Sequence, residues 1–165
     1  MSTIIVKLAA NHDREALCRL YHEFHEFHVH GVPDRLLSLG KPLGTYEHSD
    51  LYQALAMIIE GADSAIFVAE AAHQLIGFAE VYVRQDESNP LRTSYRHGHL
   101  QSLMVKEAFR GQGVGTKLLE AAQQWAREKG ATEMRVETWE FEEGPLRFYE
   151  KNDYRTLRRT LVRAL

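Results

Sequence analysis

His99 to Gly115 reads HLQSLMVKEAFRGQGVG, and this stretch decides the fold. Its first part is a half-alternating apolar run of strand type, followed by a short polar turn. Arg110-Gly111-Gln112-Gly113-Val114-Gly115 then opens an amphipathic run of helical period. Glycines at alternate positions let bare backbone N–H groups approach a ligand closely. A helix N-terminus behind them adds partial positive charge, so the chemistry points to an anion, and to phosphate first.

Working outward from the glycine loop, Val114 to Lys129 is the clearest helix, with Leu118, Leu119, Ala122, Trp125 and Ala126 on its buried face and Gly130 as its stop. Upstream, His97 to Val105 is a strand, and the polar segment Gln85 to Tyr95 is a loop marked by Asn89-Pro90. Ala65 to Glu70 and Leu75 to Arg84 are strand-like runs around the turn Ala71 to Gln74. Thr3 to Leu8 is a first strand. A helix follows from Asp13 to Val29, with Asn11 or Asp13 as N-cap and Leu17, Leu20, Phe24 and Phe27 on one face. Gly31 to Ser49 is a long loop, and Asp50 to Glu60 is a second helix stopped by Gly61. Downstream, Glu133 to Thr138 is a strand, Pro145 to Lys151 a short helix with proline in its first turn, and Arg155 to Val162 a last strand. The order β-α-α-β-β-β-α-β-α-β predicts one α/β domain over 1–165. Its mixed sheet needs an antiparallel hairpin at 65–84 and a parallel pair across the helix at 114–129.

A chain of 165 residues with 44% hydrophobic and 26% charged content suits one globular domain. A net charge of −3 argues against nucleic acid as the main partner. The single cysteine, Cys18, excludes an internal disulfide. No signal-peptide pattern opens the chain, and no apolar run approaches the roughly 20 residues of a membrane span, so no membrane partner and a cytoplasmic location are expected.

Three phosphate ligands compete for the glycine loop. A Walker A loop needs Gly-Lys-Ser/Thr at its end, whereas this chain has Gly115-Thr116-Lys117. A dinucleotide fingerprint needs its third glycine where Thr116 stands, and its first glycine directly after the strand rather than behind Lys106 to Arg110. The third reading covers the whole segment. Arg110-x-x-Gly113-x-Gly115, between Leu103-Met104-Val105 and Leu118-Leu119, resembles the acetyl-CoA loop of the GNAT N-acetyltransferase superfamily. Phe148-Tyr149-Glu150-Lys151 is similar to a second segment of that superfamily, and the element order also agrees. The resemblance implies a mixed, mostly antiparallel sheet flanked by helices, with a splayed parallel strand pair at 97–105 and 133–138.

The resemblance further implies acetyl-CoA as cosubstrate. Its pyrophosphate would meet the amides from Gly111 through Gln112, Gly113, Val114 and Gly115 to Thr116, with Arg110 adding charge. Its peptide-like arm would pair with Leu103, Met104 and Val105 as an extra strand. Where relatives carry an Asn that touches the cosubstrate, this chain has Glu142.

Acetyl transfer to a primary amine needs a base for the ammonium proton, a donor for the tetrahedral oxyanion and an acid for the departing thiolate. The resemblance implies the backbone N–H of Leu103 or Met104 as oxyanion donor and Tyr149 as acid. The expected base position carries Gln101, which takes no proton. His99 and Glu80 are the candidates in its place, and period two sets His99, Gln101, Leu103 and Val105 on one face.

His22, His25, His28 and His30 crowd the end of the first helix. Without a cysteine or a carboxylate on the same face they read as a polar helix surface, with no metal expected. The resemblance places this region on the acceptor side, so His28, His30 and Asp34 are expected to face the substrate. The expected partner is an amine acceptor, small molecule or protein. A homodimer is the commonest default among oligomers. The alternative reading is a non-catalytic coenzyme A-binding regulatory module, motivated by Gln101 and Glu142.

Overall fold

The computed structural model describes residues 3–165. Five strands form one sheet in the order β1 (Ile5–Leu8), β2 (Ser64–Ala71), β3 (Gln74–Gln85), β4 (Arg96–Val105) and β5 (Glu133–Val136). The neighbours β1 to β4 pair antiparallel and β4–β5 pairs parallel. The parallel pair exists because helix α3 (Val114–Glu128) carries the chain back between them. The β2–β3 hairpin turns on Ala72 and His73, whose φ of 48° and 62° give the left-handed geometry that matches strand twist.

Alternation along the strands divides the apolar side chains between two cores. On one face Ala79, Val81 and Leu100 pack against Val114, Leu118, Leu119 and Ala122 of α3. On the other, Ile66, Val68, Phe78 and Met104 pack against Leu17, Cys18 and Leu20 of helix α1 (Arg14–Gly31) and Leu55 of helix α2 (Asp50–Glu60). Leu118 is fully buried, and its truncation to Ala is worth about 2–5 kcal/mol. The short helix α4 (Leu146–Lys151) buries Tyr149 against the α3-side core.

Several expected boundaries shift. β1 begins at Ile5 rather than Thr3, and α1 runs on to Gly31. Asn11 to Asp13 form a 3-10 turn, and Asp13 is the N-cap residue of α1 as expected, although its carboxylate accepts the Ala10 N–H at 2.8 Å and bonds no α1 amide. Pro145 is the N-cap of α4 rather than its first residue. β5 stops at Val136, since beyond it the chain leaves β4 and loses its ladder.

Two corrections are larger. The pairing of β3 with β4 slips between Glu80 and Val81: Glu80 faces Ser102 and Val81 faces Leu100, leaving Gln101 as an unpaired extra residue. This bulge inverts the alternation. Leu103 and Val105 join Leu100 on the α3-side core, so His99 does not share their face. The expected strand Arg155 to Val162 does not form. Beyond Tyr154 the chain is irregular and exposed, and among the described residues no backbone hydrogen bond joins it to the sheet.

Candidate active site

The ladder between β4 and β5 covers only His97 to Leu100 against Glu133 to Val136. From Ser102 to Val105, β4 keeps β3 on one side and has an open edge on the other. Backbone N–H and C=O groups of this edge therefore face a gap, which is the polar lining a peptide-like chain needs. The gap belongs to a cleft of about 3190 Å³ lined by His99, Gln101 and Ser102 to Val105, by the loop Arg110 to Thr116 except Gln112, and by Tyr149.

The glycine loop closes the cleft at one end. Gly113 is the N-cap of α3 with φ 79°, and Gly111 has φ 72°. Lys117 N–H bonds the Gly113 carbonyl, so the amides of Val114, Gly115 and Thr116 precede the first intrahelical bond and project from the helix start. Gly115 matters for packing instead. A Cβ there would lie 3.1 and 3.3 Å from the Phe148 ring, so its bareness lets α3 approach α4. Arg110 donates from Nε to the Val105 carbonyl at 2.9 Å, and its guanidinium lies 5.2 Å over the Phe27 ring of α1. While that bond holds, strand-like pairing along the open edge falls to the carbonyls before Val105. The Gln112 side chain turns away to the Ala108 carbonyl.

Tyr149 is 5% exposed, and its hydroxyl makes no hydrogen bond among the described residues. Burial, with a smaller contribution from Tyr154, pushes the phenol well above its ordinary value, so it is protonated and free to donate. His99 is half-buried across from Tyr82. Desolvation first, and then the Arg84 charge, hold its imidazole below the usual 6.5. A neutral imidazole at neutral pH follows from that shift.

Glu80 stands elsewhere. It is 5% exposed, with Tyr21 donating its hydroxyl to one carboxylate oxygen at 2.6 Å and Tyr82 donating to the other. It does not line the cleft; the Tyr21 phenol staples α1 to β3, and the Tyr82 bond lies within β3. Glu142 is not among the residues lining the cleft: it lies in an adjoining depression with Phe27, His30 and Phe141.

At the other end of the cleft, His28, His30 and Asp34 all line it. His28 donates from Nδ1 to the Phe24 carbonyl at 2.8 Å and packs among Phe24, Phe27 and Phe141, which leaves Nε2 for an incoming group. Glu26 accepts from Leu39 N–H at 2.6 Å and from the Ser38 hydroxyl at 2.9 Å, pinning the 31–49 loop to α1. The carboxylates bordering the cleft include Glu23, Glu26, Asp34, Glu137, Glu140 and Glu143.

The pair Asp86–Arg135 has no sequence signal. Arg135 donates from Nη1 and Nη2 to the two carboxylate oxygens at 2.8 Å each, and from Nε to Glu133 at 2.6 Å. His97, 7% exposed, has its Nδ1 3.5 Å from Asp86. Only the folded sheet brings Asp86, His97 and Arg135 together.

Comparison with known proteins agrees with this geometry. The model of the acetyltransferase (GNAT) family matches residues 15–154. An aminoglycoside N(6')-acetyltransferase type 1 of Stenotrophomonas maltophilia is 37% identical over 86 residues, which are 52% of this chain and 56% of that one. The chain thus spans about half the length of the aminoglycoside acetyltransferases it matches. The uncharacterized N-acetyltransferase YhfO of Bacillus subtilis (strain 168) is 26% identical over 152 residues, 90% of this chain and 88% of that one. In fold, a mutant of the BH1408 protein of Bacillus halodurans superposes with a TM-score of 0.85 at 20% identity, over 98% of this chain and 99% of that one. Aminoglycoside acetyltransferase AAC(6')-Iy, solved with a bisubstrate analogue of coenzyme A and acetylneamine, superposes with a TM-score of 0.73 at 22% identity over 99% of both chains. Since the family model spans most of the sequence and the splayed sheet matches these solved folds, the chain belongs to the acetyltransferase (GNAT) family.

Proposed function

We propose that this chain is a single-domain N-acetyltransferase that moves acetyl from acetyl-CoA to a primary amine of a small polycationic acceptor of the aminoglycoside kind. The observation that carries the reading is the opening of β4 from β5 after Leu100, beside a helix start with projecting amides and beside Tyr149, whose hydroxyl has no hydrogen-bond partner among the described residues. Such a cleft fits a ligand with a diphosphate at one end and a peptide-like arm leading to a thioester.

In this mechanism the amides from Gly111 to Thr116 hold the diphosphate, with Arg110 near it. The open edge of β4 aligns the pantetheine arm. The acceptor amine attacks the thioester carbonyl directly, forming a tetrahedral intermediate whose oxyanion takes a hydrogen bond from the backbone N–H of Leu103 or Met104. His99 receives the ammonium proton, directly or through water, and its lowered affinity for protons keeps it free at neutral pH. Tyr149 gives its proton to the thiolate as the C–S bond breaks. Glu80 serves by holding Tyr21 and Tyr82 in place. The carboxylates around the cleft, with His28, His30 and Asp34, favour an acceptor with several positive charges. Relatives named for aminoglycoside acetylation support the same acceptor class.

Thiol release from acetyl-CoA across a panel of polyamines, aminoglycosides and lysine peptides tests the proposal. Turnover on the polycationic small molecules is expected. Tight acetyl-CoA binding with no turnover on any amine would instead support a coenzyme A-binding regulatory module.

A further inference from the structure

Leu17, Leu20, Phe24 and Phe27 form one apolar stripe along α1, and a stripe of this kind faces a core. The last of the four does not. Phe24 packs on the α1-side core, whereas Phe27 joins neither core. It stands in the wall of the cleft, and the guanidinium of Arg110, from the glycine loop, lies 5.2 Å over its ring. A ring face within about 6 Å of a guanidinium attracts it through the ring quadrupole. A residue of the acceptor-side helix thus touches the loop that the proposed mechanism gives to the donor.

Arg110 is exposed, and an exposed arginine with nothing to hold it samples many rotamers and loses that freedom on gripping an anion. This one is held at two points. Its Nε donates to the Val105 carbonyl at 2.9 Å, which fixes one edge of the guanidinium plane, and Phe27 takes one face of that plane. Phe27 is braced in turn by the rings of His28 at 5.4 Å and Phe141 at 5.6 Å. Nη1 and Nη2 of Arg110 have no hydrogen-bond or ion-pair partner among the described residues. A planar fork with one edge and one face occupied presents its remaining donors in a set direction, and such donors match the oxygens of a phosphate.

We infer that Phe27 is a positioning residue for the donor: its ring holds the Arg110 guanidinium so that Nη1 and Nη2 are set to receive the diphosphate of acetyl-CoA. The inference rests on the placement of that diphosphate at the glycine loop. Phe27 acts through Arg110 and touches no atom of the cosubstrate. A determinant of donor affinity therefore sits on α1, the helix whose His28 and His30 line the acceptor end.

Titration calorimetry of coenzyme A into the full chain tests it, with Phe27→Leu, Phe27→Tyr, Arg110→Ala and the double variant Phe27→Leu/Arg110→Ala. Leucine removes the ring face and keeps an apolar side chain, and the fold is expected to hold because Phe27 lies outside both cores. Phe27→Met, closer in volume, reads the same loss where leucine disturbs the packing against Phe141. The Kd for coenzyme A is expected to rise about 3- to 10-fold in Phe27→Leu and to stay at the parent value in Phe27→Tyr, which keeps the ring. In the Arg110→Ala background Phe27→Leu is expected to add nothing, since the cycle isolates the contact between the two side chains. An unchanged or lower Kd in Phe27→Leu overturns the inference. So does a loss that Phe27→Tyr shares, or one that keeps its full size without Arg110, because either assigns Phe27 to packing alone. A parent chain that does not bind coenzyme A overturns the placement of the diphosphate and the inference together. A parent that binds it and is indifferent to Phe27→Leu overturns the inference alone.

Discussion

Asp86 and Arg135 meet fork to fork, each carboxylate oxygen 2.8 Å from a guanidinium nitrogen, and so tie the end of β3's chain to β5 across the intervening β4. Because β4 and β5 share only four residue pairs, this clamp reinforces the paired half of the ladder. Arg135, first by hydrogen bonding, lowers the Asp86 carboxyl from its ordinary 3.8 to about 2. A folded-state value below the unfolded one gives stabilisation that is complete above about pH 5 and lost as pH falls toward 2. Asp86→Asn is therefore expected to lower the urea midpoint at pH 7 and to differ little from the parent near pH 2. A deficit independent of pH would exclude the linkage.

Tyr149→Phe removes one hydroxyl that has no partner among the described residues. Stability is expected to change little, the KM for acetyl-CoA to hold, and kcat to fall by about 10²-fold or more. Steady-state kinetics and a melting curve on the same preparation check all three. Unchanged kcat removes Tyr149 from the chemistry.

His99 serves as base only when neutral, so kcat/KM is expected to fall on the acid side with a midpoint below pH 6.5. Arg84 contributes to that depression, after burial. Arg84→Gln should move the acid limb upward, and His99→Gln should abolish it. A limb that ignores both substitutions assigns the proton to another group.

Glu80→Ala separates a structural carboxylate from a catalytic one. It leaves the Tyr21 and Tyr82 hydroxyls without their acceptor, a loss of about 2 kcal/mol or more. Denaturation should register that loss, while kcat per folded molecule stays near the parent value. A collapse of kcat at intact stability would restore Glu80 as a base acting through water.

Gly113→Ala and Gly115→Ala are expected to fail differently. The first forces a side chain into left-handed backbone at φ 79°, costing about 1–2 kcal/mol, and puts a methyl group where the amides must be approached. Its KM for acetyl-CoA should rise. The second pushes on the Phe148 ring and should cost about 1–3 kcal/mol while disturbing Tyr149 next to it, so kcat falls as well. Melting temperatures with KM and kcat for both variants distinguish these outcomes.

The parts legible in the sequence are those whose signal is local. α3 carries its own apolar stripe, the β2–β3 hairpin its own strand runs and turn, and the glycine loop its own spacing. The slip opposite Glu80 has no such mark, because a bulge exists only between two strands, and so simple alternation puts His99 on the wrong face. Glu80 itself reads as a strand carboxylate until α1 docks and brings Tyr21 to it from 59 residues away. Arg135 and Asp86 lie 49 residues apart and meet only when β5 enters the sheet. Arg155 to Val162 misleads for the opposite reason: its pattern is that of a strand, and pattern does not supply a neighbour.

The two cores on opposite faces of the sheet have a consequence for descent. Helix α3 and the glycine loop rest on one core, and α1, α2 and the loop pinned by Glu26 rest on the other. Substitutions that reshape the α1 side leave the packing beneath the glycine loop intact, since sites in separate clusters contribute nearly additively. On the proposed mechanism, the surface that meets the acceptor can thus diversify through many successive mutations while the half that grips the donor is inherited unchanged.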